Sequence, residues 1–182
     1  AYLGANKVNR FLKREIYYDM TIGRDVDLIG TLRVVYKNES KAQTWPGGTY
    51  VNYLRVFLPP GAGLMQYQNN SSNNIDDVQV TNINNLTEFA TFVEVPPKET
   101  REIKFKYRIS KNIKLEQAPI YSLFVQKQPG TQSDLFKFTF HLPRYLKVNN
   151  FNKDDKFTNK DAIEFSQDLL TDENYEITLS TK

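Results

Sequence analysis

REIKFKYRIS, residues 101–110, decides the fold. Its apolar side chains, Ile103, Phe105, Tyr107 and Ile109, stand at every second position, and Lys104, Lys106 and Arg108 fill the gaps. Successive side chains of an extended strand point to opposite faces, so a period of two sorts these residues into one dry and one wet face. DLFKFTFHLP (134–143) repeats the pattern, with Phe136, Phe138, Phe140 and Leu142 opposed to Lys137, Thr139 and His141. In DLIGTLRVVYK (27–37), Leu28, Leu32, Val34 and Tyr36 share a face that Gly30 interrupts. Ile16, Tyr18, Met20 and Ile22 alternate with Tyr17, Asp19 and Thr21, and Tyr175, Ile177 and Leu179 alternate with Glu176 and Thr178. Half-buried strands of this kind belong to antiparallel sheets with one solvated face.

Turn-forming clusters separate the strands: KNESKAQTWPGG (37–48), PPGAG (59–63), NNSSNN (69–74), VPPKE (95–99) and QPGTQSD (128–134). Glycine and proline set special backbone angles there, and Asn, Asp and Ser bond their own backbone. No long segment carries a helical stripe. NKDAIEFSQDLL (159–170) and GANKVNRFLKRE (4–15) each have room for a turn or two of helix. The expected fold is all-β: an antiparallel, immunoglobulin-like β-sandwich with long loops and at most short helices, as a single domain over residues 1–182. Two small sandwiches in tandem also fit the length.

Composition narrows the function. The chain has 182 residues, 24 Lys and Arg against 21 Asp and Glu, and a net charge of +3. That balance argues against a dedicated nucleic-acid binder, whose basic excess is larger. The absence of cysteine removes disulfides, thiolate zinc sites and cysteine nucleophiles. No apolar run approaches the ~20 residues of a membrane helix. The sequence opens at Ala1 rather than at a methionine, which points to a piece of a longer protein whose signal or anchor lies elsewhere.

Four groups of residues are candidates for chemistry. Trp45, Tyr50 and Tyr53, around a Pro-Gly-Gly turn, offer flat apolar planes on which sugar rings stack. The structural alternative folds Trp45 over the end of the core while Gly47 and Gly48 reverse the chain, and the turn chemistry favours it. Lys104, Lys106 and Arg108 line the wet face of one strand, within a basic segment that also holds Lys98, Arg101, Lys111 and Lys114. An anionic glycopolymer or phospholipid surface would suit them, although solvated lysines also keep strand edges apart. The carboxylates Asp25 and Asp27, Asp76 and Asp77, and Asp154 and Asp155 match no calcium loop, so no metal or other cofactor is expected. His141, the one histidine, faces solvent on its strand, and neither a nucleophile elbow nor a phosphate-binding glycine loop occurs.

LGANKVNRFLKREI (3–16), WPGGTYVNYLRVFLPPGAGL (45–64), VPPKETREIKFKYRI (95–109) and YSLFVQKQPGTQSDLFKFTFHLP (121–143) occur in this order and spacing. In them the chain resembles the C-terminal portion of the bacterial domain-of-unknown-function 4012 family, and VQKQPGT (125–131) is the most specific part. The resemblance implies a protein anchored by an N-terminal membrane helix that precedes this portion, with the rest outside the cell. Some members occur near envelope-polysaccharide genes, and no catalytic residues carry over. The expected function is therefore a non-enzymatic structural or interaction module at the bacterial cell surface, with envelope polysaccharide or another surface protein as partner and no nucleic acid. The alternative is a carbohydrate-binding module that uses the surface aromatics.

Overall fold

The structure, a computed structural model, describes residues 7–23, 27–70, 72–110, 119–128, 133–153, 156–159 and 162–182, and thirteen strands lie among them. They are β1 (Leu12–Ile22), β2 (Leu28–Asn38), β3 (Tyr50–Leu58), β4 (Gly63–Asn69), β5 (Gln79–Ile83), β6 (Leu86–Val95) and β7 (Thr100–Ile109), followed by β8 (Ile120–Val125), β9 (Asp134–His141), β10 (Leu146–Phe151), β11 (Lys156–Asn159), β12 (Ala162–Leu169) and β13 (Glu173–Thr181). Two short 3-10 turns, Val8–Phe11 and Ile75–Asp77, are the helical content among the described residues. The expected all-β fold is present, and its strands lie in packed layers. Residues 162–169, read from sequence as room for a helix, are strand β12, because pairing with β9 decides the conformation of a segment with weak helical preference.

A seven-stranded sheet, in the order β11-β12-β9-β1-β2-β7-β4, forms one layer, and two three-stranded sheets, β3-β6-β5 and β10-β13-β8, form the other. The pairing register carries one row of side chains across the large sheet's inner face: Phe165, Phe138, Tyr18, Leu32, Phe105 and Tyr67. The first small sheet packs on β2, β7 and β4, with Phe89 on Phe105 and Tyr107 and with Tyr50 on Tyr36. The second packs on β9 and β12, with Tyr175 among Phe136, Phe138 and Phe165. Buried aromatic pairs of this kind contribute about 0.5–1.5 kcal/mol each beyond their area.

One pairing is parallel. β1 lies beside β9 with Glu15 next to Leu135 and Tyr17 next to Lys137, while the other ladders among the described residues are antiparallel. β1 through β7 build the first small sheet and the half of the large sheet beneath it; β8 through β13 do the same for the second. The β1–β9 ladder is the seam between these halves. On its inner side Tyr107 donates to Tyr18 at 2.9 Å and Tyr121 donates to the same oxygen at 3.3 Å. Gly30 makes room for this group: a Cβ there would lie 2.5 Å from Cζ of Tyr107. Burial raises the pKa of all three phenols, so they stay neutral and hydrogen-bonded.

Arg14 crosses the same seam. Its Nη2 lies 2.5 Å from Oδ2 of Asp134 and its Nη1 donates to Gln128, with 9% of the Arg14 side chain and 2% of the Asp134 side chain exposed. Burial works against the Arg14 charge, but Tyr36 and the Asp134 carboxylate together hold its pKa above the ordinary value.

Candidate functional site

The Trp45 loop is built from Asn38 outward. Asn38 Nδ2 donates to the carbonyls of Gly48 and Val95, each at 2.8 Å, and Asn38 Oδ1 accepts from the Ser40 amide at 3.0 Å. One buried amide therefore fixes both ends of the loop. Gly48 has φ of 126°, a conformation that a side chain would strain. The loop holds Trp45 outward, 70% exposed, with Lys7 Nζ 5.8 Å from its ring centre. The favoured expectation that Trp45 folds over the core is thus overturned: the Gly-Gly turn shapes the chain as expected but leaves the indole in solvent.

The three candidate aromatics do not share a surface. Tyr50 is 1% exposed and packs on Tyr36, whereas Tyr53 points to the outer face of β3. Three residues is an odd offset in a period of two, so a strand puts them on opposite sides. What the structure brings to Tyr53 is Phe92 of β6, directly opposite in register with ring centres 4.8 Å apart. Tyr53 also donates to Gln79 Oε1 at 2.8 Å. Phe92 is 62% exposed. Beyond it, at the ends of β4, β6 and β7, lies a shallow groove of about 340 Å3 walled by Phe92, Glu94, Pro96 and Arg101. Further along β3, Arg55 lies over the Phe57 ring and pairs with Glu88, which also accepts from Thr81 at 2.9 Å.

The basic candidates Lys104, Lys106 and Arg108 do lie on one outer face, that of the large sheet, as the alternation requires. Arg108 is paired with Asp27. Lys104 and Lys106 have no carboxylate within 4 Å among the described residues. Sequence reading missed the partners that the register supplies. Lys104 stands beside Arg33, Arg33 beside Tyr17, and Tyr17 beside Lys137. The Arg33 guanidinium stacks 3.6 Å from the Tyr17 ring centre, and Lys137 Nζ lies 5.3 Å from the same centre. Glu102 accepts from Arg33 at 3.0 Å, and Tyr17 donates to Glu15 at 2.5 Å. The hydrogen bond to Glu15 is the main reason the Tyr17 pKa is raised.

Among the described residues no three His, Asp or Glu side chains converge to hold a metal ion. Asp76 and Asp77 belong to a 3-10 turn capped by Asn74. His141 Nε2 is 3.9 Å from Asp19 Oδ1 on the solvated face. Asp25, Asp154, Asp155, Lys111 and Lys114 lie outside the described residues. No described helix is long and apolar enough to cross a membrane.

The architecture these surfaces sit on, one broad sheet backed by two small ones, occurs in solved proteins. The chain is similar to yeast LTA4 hydrolase bound to bestatin, with a TM-score of 0.50 and 9% identity over 92% of this chain and 29% of that one. It is equally similar to native leukotriene A4 hydrolase from Saccharomyces cerevisiae, with a TM-score of 0.50 and 10% identity over 94% of this chain and 29% of that one. The chain thus spans less than a third of these proteins' length, and at such identity the likeness defines the fold alone. No protein-family model matches the chain. The comparison with curated proteins gives no match either.

Proposed function

We propose that this domain is a non-enzymatic structural and interaction module of a bacterial cell-surface protein, held outside the cell by an anchor in another part of the polypeptide. The observation that carries the reading is the form of its polar surface. Among the described residues, Lys104, Lys106 and Lys137 stand on the open outer face of the large sheet, and the groove beside Phe92 is lined by one carboxylate, Glu94. General acid–base cleavage of a glycan calls for two carboxyl groups facing each other across the bond. The resemblance of the strand-and-turn sequence to the domain-of-unknown-function 4012 family supports the location. Incubation of the domain with purified envelope glycans, followed by product analysis, tests the proposal. Unchanged glycan is the expected result; released fragments overturn it.

A second reading has its own observation. Trp45 and Phe92 are both strongly exposed, so a carbohydrate-binding role for surface aromatics centres on the Tyr53–Phe92 pair or on Trp45 alone. Calorimetric titration with bacterial glycans of the native protein, Trp45→Ala and Phe92→Ala separates these positions. Binding lost only in Phe92→Ala points to the pair, binding lost only in Trp45→Ala points to the indole, and no heat of binding from any glycan ends this reading.

A further inference from the structure

We infer that the outer face of the seven-stranded sheet is a binding site for a linear anionic glycopolymer, laid across the strands along the row Ser166–Lys137–Tyr17–Arg33–Lys104–Gln68. The inference rests on the interaction-module reading and supplies its ligand class and site.

The row follows from hydrogen-bond register. Each of these residues is the direct partner of the next across adjacent strands β12, β9, β1, β2, β7 and β4. With strands about 4.8 Å apart, the row runs about 24 Å, and Lys137 and Lys104 stand about 14 Å from each other. It contains three cations, an aromatic ring, a hydroxyl and an amide, and no acid. Arg33 stacks on Tyr17 and is held by Glu102, so the centre of the row is a fixed cationic plate. Lys104 and Lys137 flank it with ammonium groups that no described carboxylate approaches within 4 Å.

The neighbouring rows decide what shape of anion fits. On one side the register sets Asp168, Glu15 and Glu102 in a row, and on the other it sets Glu164 and Asp19, with Lys106 further along. A planar anionic surface would meet these carboxylates together with the cations, and like charges opposed at close range are unfavourable. A chain one row wide follows the cations and meets carboxylates only at the centre, where Glu102 is engaged by Arg33 and Glu15 by Tyr17. The Tyr17 face is covered by the Arg33 guanidinium, so it offers no open platform for stacking bases of a single-stranded nucleic acid. The hydroxyl of Ser166 at one end of the row and the amide of Gln68 at the other suit the sugar part of a glycopolymer, and its repeated charges suit the lysines.

The test uses the whole domain and four probes: a polyuronate, a polyol-phosphate polymer, an uncharged glucan, and vesicles containing anionic lipid. The first two share the anionic-chain chemistry and separate carboxylate from phosphate as its source. The expected result is binding of at least one of them, weakening with salt, and about tenfold weaker or worse in Lys104→Gln/Lys137→Gln. Glu15→Gln/Asp168→Asn is expected to bind the chain at least as tightly and to gain affinity for vesicles, because the flanking repulsion is removed. Unchanged melting temperatures show that the variants are folded. Vesicle binding by the native protein equal to polymer binding overturns the proposal, as does polymer binding that the double lysine variant retains. Binding of the uncharged glucan alone overturns it too, but leaves the interaction module standing. Cleavage of any probe removes that underlying reading instead.

Discussion

Gly30 occupies a position on β2 where a side chain would collide with the seam, since Tyr107 fills the space a Cβ needs. Gly30→Ala is expected to cost about 1–3 kcal/mol by overpacking, measured as a shift in the denaturant midpoint. Arg14 shows the opposite kind of sensitivity. Arg14→Met leaves the Asp134 carboxylate buried without its charge partner and is expected to cost about 3–5 kcal/mol. Replacing Asp134 as well, with Leu, is expected to recover much of that loss; no recovery would mean the pair is not the source. These residues differ in how plainly the sequence announces them. The gap that Gly30 makes in an apolar face is visible in DLIGTLRVVYK, but the ring that fills it comes from β7 and is not. Tyr50 and Tyr53 could have been assigned to opposite faces by counting, because the alternation is local. Asn38 and Arg14 give no local signal: their partners, Val95 and Asp134, are far away in sequence.

Strands with one wet face announce themselves, and β7, β9, β2, β1 and β13 were legible for that reason. β6 was not. Five consecutive residues of it, Thr87 through Thr91, are buried, so its two faces do not alternate in polarity. Glu88 and Ala90 belong to the outer side but are covered, Glu88 by its bonds to Arg55 and Thr81. The two kinds of position along β6 predict different energetics. Phe89→Ala, in the core, is expected to cost about 3–5 kcal/mol. Phe92→Ala, on the open face, is expected to stay within about 0.5 kcal/mol. Equal losses in thermal or chemical denaturation would contradict the assignment of faces. Residues 162–169 misled for a related reason: their register with β9, a tertiary property, sets their conformation.

The whole molecule couples its charge state to its fold at both ends of the pH scale. Tyr18, Tyr36, Tyr107, Tyr121 and Tyr175 have pKa values raised above the ordinary 10.0, chiefly by burial. Above pH 10 the unfolded chain releases phenolic protons that the folded chain retains, so stability falls as pH rises through that range. Of the absorbance change of the eleven tyrosines, the share of these five is expected to appear only together with loss of the circular dichroism of the strands; full ionisation of all eleven before that loss would refute their burial. On the acid side, hydrogen bonds from Arg55 and Lys153 hold Glu88 and Glu173 below their ordinary 4.5. Their contribution is intact above that value and disappears as pH falls through the lowered folded values. Alternation made two packed layers legible, but not the parallel β1–β9 ladder, because nothing local to either strand encodes a partner so far along the chain. That ladder has a practical corollary. A polypeptide ending at Ile109 and another starting at Ile120 would each carry strands of both layers, and the missing edge of one is the missing edge of the other. Mixed as separate fragments, they should find each other and restore the intact circular dichroism spectrum, which makes this domain a candidate for a split reporter whose reassembly is zipped by two strands.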